Sequence, residues 1–138
     1  MFAMPAVNWL AIVVAAVIQF VVGFLWYSPM LFGNQWMKLS GIKPDPKVKP
    51  SAMMMPMVGM FVLTLITAFV LSGFIGYAGA KGAVDGALVG VMAWLGFMAT
   101  THASSVLFER KPKALYVLNV GHMLAAMALA GAILGYWA

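Results

Sequence analysis

The chain has 138 residues, of which 64% are hydrophobic and 8% charged. A soluble domain carries roughly 25% charge, so too few charges are present to build a water-facing surface, and lipid must cover most of the chain. There is no cysteine, which excludes disulfides and thiolate metal or redox chemistry. The net charge of +5 comes from short loops beside apolar runs. It points to anionic lipid headgroups, not nucleic acid.

Four apolar runs are each long enough to cross a bilayer, which takes about 20 residues at ~1.5 Å rise each. The first covers residues 7–27, with Trp9 near its start. No Lys or Arg lies between Met1 and Asn8, and a proline turn, not a small-residue cleavage site, follows the run. A cleaved signal peptide is therefore not expected. Pro29 cannot continue a helical ladder, so the span ends or bends there. Trp26, Tyr27 and Trp36 have apolar rings with polar tips, which suit the headgroup layer.

Residues 30–50 form the first connection. Phe32, Trp36 and Leu39 recur at helical spacing, with Asn34, Gln35 and Lys38 elsewhere around the turn, which predicts a short helix lying in the interface. From Lys43 to Pro50 the chain is proline-rich, basic and extended. The second span is predicted over 54–77, with Ser51 as N-cap. Gly79 to Gly82 makes a tight turn, the third span covers 83–108, a basic connection runs from Glu109 to Lys113, and the fourth span covers 114–137. The predicted fold is an all-α integral membrane protein, one domain of four transmembrane helices in an antiparallel bundle, with the interfacial helix after the first span.

Orientation follows from the basic residues. Lys38, Lys43, Lys47 and Lys49 lie in the first connection, Arg110, Lys111 and Lys113 in the third, and Lys81 alone in the second. The positive-inside bias puts the first and third in the cytoplasm and both termini outside. Lys43, Lys47, Lys49, Arg110, Lys111 and Lys113 are then the cytoplasmic basic surface that meets lipid headgroups. An acidic protein partner would use the same surface.

Small residues form stripes on the last two spans: Gly82, Gly86, Gly90, Ala93 and Phe97 on one, Gly121, Ala125, Ala128, Ala132 and Gly135 on the other. Such stripes let helices approach closely in lipid. Packing within the chain is the favoured reading, and a seam between subunits the alternative.

Polar side chains inside lipid are expensive and each needs a reason. Thr101, His102, Ser105, Asn119 and His122 make the inner half of the last hairpin the most polar depth of the bundle. An interhelical hydrogen-bond network is the favoured reading. A cavity for a small solute or protons, with both histidines titrating, is a second. A haem or pigment metal held by His102 and His122 is a third. Zinc catalysis usually takes three protein ligands, and only Glu109 is near enough in sequence to join the two histidines. Met53, Met54, Met55, Met57 and Met60 offer soft Cu(I) ligands, although Met more often fills apolar gaps. Asp85, in the first turn of the third span, complements the helix dipole. No Ser-His-Asp set, phosphate loop or carboxylate pair is visible, so no catalytic residue is assigned and no enzyme is expected.

Ser28 to Phe32 and Ser104 to Phe108 both close a span before a basic loop, a faint sign of a parallel repeat. The pattern Trp26-Tyr27-Ser28-Pro29-x-Leu31-Phe32-Gly33-x-x-Trp36 resembles the signature of the bacterial family catalogued as domain of unknown function 1761. The resemblance continues through Trp94-Leu95-Gly96-Phe97-x-Ala99-Thr100-Thr101, Leu107-Phe108-Glu109-x-Lys111-Pro112, Asn119-x-Gly121 and Gly131-Ala132-Ile133-Leu134-Gly135-x-Trp137. It covers nearly the whole chain and implies a small four-span protein of the bacterial cytoplasmic membrane, with no assigned activity. The function expected is a non-enzymatic interaction or accessory subunit, self-associating or docked on a larger membrane complex. A small-solute or proton transporter and a haem- or pigment-binding module are the alternatives.

Overall fold

A computed structural model describes residues 5–42, 47 and 50–138, and among these every regular element is helical. Helix α1 covers Trp9–Trp26. Asn8 caps it, its Oδ1 accepting from the Ala11 N–H at 3.2 Å, which satisfies one of the orphan donors of the first turn. Helix α2 covers Gly33–Ser40. Phe32, Trp36 and Leu39 are half-buried while Asn34, Gln35 and Lys38 are exposed, as the spacing predicts. The expectations for Lys43 and Lys49 lie outside the described residues.

Helix α3 covers Met54–Ala78. A 3-10 turn, Pro50–Met53, precedes it, and the helix has no side-chain cap, so Ser51 is not the N-cap predicted from sequence. The tighter turn places Ser51 before the helix proper and leaves Met53 at the boundary. Gly79, at φ 66°, ends α3 in the left-handed conformation that lacks a steric cost only for glycine.

Helix α4 covers Ala83–Leu107 and helix α5 Lys113–Tyr136. These two, α1 and the stretch Ser51–Ala78 are each long and apolar enough to cross a membrane. Helix α4 is not the uniform helix expected over 83–108. It widens to π geometry over Trp94–Ala99 and breaks briefly at Ala103. Side chains compete here for backbone carbonyls. The Thr100 hydroxyl donates to Gly96 O at 2.7 Å, Ser104 to Thr101 O at 3.0 Å and Ser105 to His102 O at 2.8 Å. Ser104–Leu107 is helical, whereas Ser28 begins a turn that brings the Leu31 and Gly33 N–H groups onto its carbonyl, so the suspected repeat shares no structure.

The core lies among α1, α3 and α5. Ala11, Ile12, Ala15 and Ala16 meet Ala68, Leu71 and Ile75, with Met127, Ala130 and Leu134 from α5. Trp9 stacks on Phe69 and Phe20 meets Phe61 edge-on, so contacts between α1 and α3 run in opposite chain directions. Helix α4 joins through glycine. A Cβ on Gly86 would strike the Gly131 carbonyl and come within 2.8 Å of Gly135 Cα, and one on Gly90 would strike the Met127 carbonyl. The Gly82 N–H donates to Gly135 O at 2.9 Å. In this seam backbone rests on backbone, and only glycine permits it.

Candidate functional site

The polar interior is built where α1 ends against the inner half of α5. The indole N–H of Trp26 donates to Leu118 O at 3.0 Å. Its ring lies over Gly121, where a Cβ would come within 3.3 Å, and packs on Phe32 with centroids 4.8 Å apart. The Tyr27 hydroxyl donates to Asn119 Oδ1 at 2.7 Å, and its ring meets Trp36 and His122 edge-on. The Ser28 hydroxyl donates to Leu25 O at 2.7 Å and closes the helix end. Pro29 opens the turn that follows, where its fixed φ suits the second position. Gly33 is buried against the Tyr27 and Ser28 backbone, where a Cβ would come within 2.8 Å of the Ser28 carbonyl carbon, so a side chain has no room.

The polar tips of Trp26 and Tyr27 therefore face inward to α5, not to the headgroup layer expected from sequence. Tyr116 behaves likewise, its hydroxyl donating to Ala99 O at 2.5 Å. In a bundle this small, an amphipathic ring at the membrane edge gains a fixed partner by turning inward. Trp94, from the widened turn of α4, donates to Val120 O at 2.8 Å.

The five polar residues expected to form one network divide between two places. Asn119 and His122 face α1. His122 Nε2 is buried without a hydrogen-bond partner among the described residues, and a Cβ on Gly23 would sit 3.1 Å from it. Thr101 and His102 are exposed on the outside of α4, with Ser105 half-buried beside them. The His102 ring holds its Nδ1 2.9 Å from Met98 O. A carbonyl only accepts, so Nδ1 donates, and in the uncharged tautomer Nε2 is then the acceptor. The two imidazoles have different surroundings, His102 exposed on α4 and His122 packed against Trp26 and Tyr27. Helical spacing placed them at one depth but did not fix which way each face pointed. No group of three or more metal-ligating His, Cys, Asp or Glu side chains occurs among the described residues. Met53, Met54, Met55, Met57 and Met60 are all exposed at the start of α3.

The expected small-residue stripes meet at Gly135 but not along their whole length. Gly82, Gly86 and Gly90 pack on Met127, Gly131 and Gly135, with the Ala128 N–H only grazing the Gly90 position at 3.6 Å. Gly121 serves α1 by admitting Trp26, which turns its side of α5 away from α4. Ala125 is half-buried. Lys47, Arg110, Lys111 and Lys113 are exposed, with Lys111 Nζ 3.3 Å from Glu109 Oε2. Asp85 is exposed in the first turn of α4, where an acid favours the helix dipole.

A family model described as "Protein of unknown function (DUF1761)" matches residues 10–135. The chain belongs to this family. No curated protein and no solved structure matches it. The DUF1761 match covers the α1 end, the turn into α2, the π segment and all the residues of the polar interior.

Three contributors to this DUF1761 site were not singled out from sequence. Gln19 is buried in α1, its amide 3.3 Å from Ala15 O and 3.4 Å from Thr64 O. Its signal was plain, a lone amide inside an apolar run. Gly23 carried no signal of its own, and Gly131 stood only inside the family pattern, with no packing role assigned. Two lateral clefts, of about 380 and 260 Å³, are lined by side chains such as Phe20 and Phe61, and Phe74 and Phe97, and neither includes His102 or His122.

Proposed function

We propose that this protein is a non-enzymatic interaction or accessory subunit of a homo- or hetero-oligomeric membrane complex. One observation carries the reading. Thr101 and His102 lie exposed on the outer face of α4, the least buried of the four spans, about 8 Å from its end at ~1.5 Å per residue. A polar group turned to lipid is costly, and a partner helix removes the cost. The basic connections lie in the cytoplasm on this reading, the membrane is the bacterial inner membrane, and Lys47, Arg110, Lys111 and Lys113 contact anionic headgroups. Native mass spectrometry of protein drawn gently from its own membrane tests it. Whole multiples of the chain mass, or co-purifying chains, are expected; a single chain with nothing bound overturns it.

A second reading is a small-solute or proton transporter, favoured by the unpartnered Nε2 of His122. Its neighbours weaken it. Tyr27 is bonded to Asn119, and the Gln19 amide lies within reach of backbone carbonyls, so polar groups are consumed in pairs and not strung into a path. Flux abolished by His122→Ala with assembly intact would shift the weight to transport.

A further inference from the structure

We propose that the outer face of α4 docks against a second copy of this chain, each copy's Thr101 hydroxyl donating to the other's His102 Nε2. This rests on the interaction reading and names its partner. The hydroxyls of this face fall into two kinds. Thr100, Ser104 and Ser105 have spent their protons on carbonyls of their own helix. Thr101 Oγ1 makes no hydrogen bond among the described residues. The bond of His102 Nδ1 to Met98 O leaves Nε2 as the acceptor of the uncharged tautomer, on a residue exposed at this face. One free donor and one free acceptor therefore stand on adjacent residues of one exposed face.

That pair is self-complementary. A two-fold axis along the membrane normal keeps both copies in the same orientation and sets residue 101 of each beside residue 102 of the other. Two identical bonds result, as an isologous interface requires. The depths agree, because adjacent residues differ by only ~1.5 Å along a helix. The surroundings suit a helix in lipid. Phe97 and Leu95, about one and two turns before the pair, are exposed on the same face, so a partner helix meets apolar side chains there. A copy of this chain supplies both missing partners at the required depth. A heterologous partner would need the same two groups at the same depth by coincidence.

The test uses the full chain in lipid vesicles, labelled with donor or acceptor dye at Lys81→Cys, since the chain has no cysteine of its own. Energy transfer is followed as protein is diluted into lipid. Thr101→Val and His102→Leu each delete both bonds of a homodimer, whereas a mixed pair of the two variants keeps one. Each variant alone is expected to dissociate roughly eightfold more readily than the unaltered chain, and the mixed pair only about threefold, at the average strength of a hydrogen bond between spans. Transfer that ignores both substitutions overturns the proposal. So does transfer in the mixed pair no stronger than in either variant alone. Monomers at every dilution, with a native mass of one copy bound to a different chain, overturn the dimer and leave the interaction reading standing. Monomers with nothing bound in the native mass overturn both.

Discussion

The Tyr27 hydroxyl and the Asn119 amide meet at 2.7 Å across 92 residues of chain. This bond ties the turn after α1 to the inner half of α5. Tyr27→Phe keeps the ring contacts with Trp36 and His122 and removes only the bond. A loss of about 0.5–1.5 kcal/mol is expected, with faster proteolytic cutting in the 30–50 connection. Thermal unfolding in nanodiscs and limited proteolysis check both effects.

Gly86 and Gly131 have no space for even a methyl group, because each would meet the other's carbonyl. Gly86→Leu or Gly131→Leu is expected to destabilise the subunit itself by about 3 kcal/mol or more, since overpacking alone costs about 1–3 kcal/mol and here backbone must separate. Gly59→Leu, at a position with open space, is expected to be tolerated. Folded yield and melting temperature of the three variants distinguish the sites.

Gly23 and His122 are coupled through one short approach of 3.1 Å. Gly23→Ala is expected to cost about 1 kcal/mol in the unaltered chain and a few tenths in a His122→Ala background, because the clash needs both partners. A double-mutant cycle of unfolding free energies reads the difference. Equal costs in both backgrounds would place the strain elsewhere.

Gln19 has the opposite expectation. Its amide approaches carbonyls that helices already use, at 3.3 and 3.4 Å, at the edge of hydrogen-bonding distance. Replacing a weakly bonded buried amide by an apolar group of similar size is often neutral or stabilising. Gln19→Met is therefore expected to change stability by less than about 1 kcal/mol, and upward if at all, in the same unfolding assay.

The spans were legible because apolar runs of the right length have few other uses, and the glycines at 79 and 82 marked the turn after α3. The amphipathic pattern of Phe32, Trp36 and Leu39 was legible for the same reason. Side-chain direction was not. His102 and His122 stand at comparable distances from the loop that joins their helices, yet one faces outward and the other meets α1. Hydropathy carries no moment in a helix apolar all round, so the sequence gives little to orient α3, α4 or α5. The π segment was hidden too, since it arises from hydroxyl and imidazole groups competing for carbonyls over a few residues. Trp26 and Tyr27 were read by an average preference of aromatics for membrane edges, which an available partner on α5 overrode.

Helix α5 receives the Trp26 indole at Leu118 and the Trp94 indole at Val120, and its glycines complete the seam with α4. A ribosome makes it after both. Until it inserts, two indole N–H groups face hydrocarbon without acceptors and the glycine edge of α4 lies bare. A chain halted before Lys113 therefore lacks the acceptors for both indoles and leaves the glycine edge of α4 uncovered.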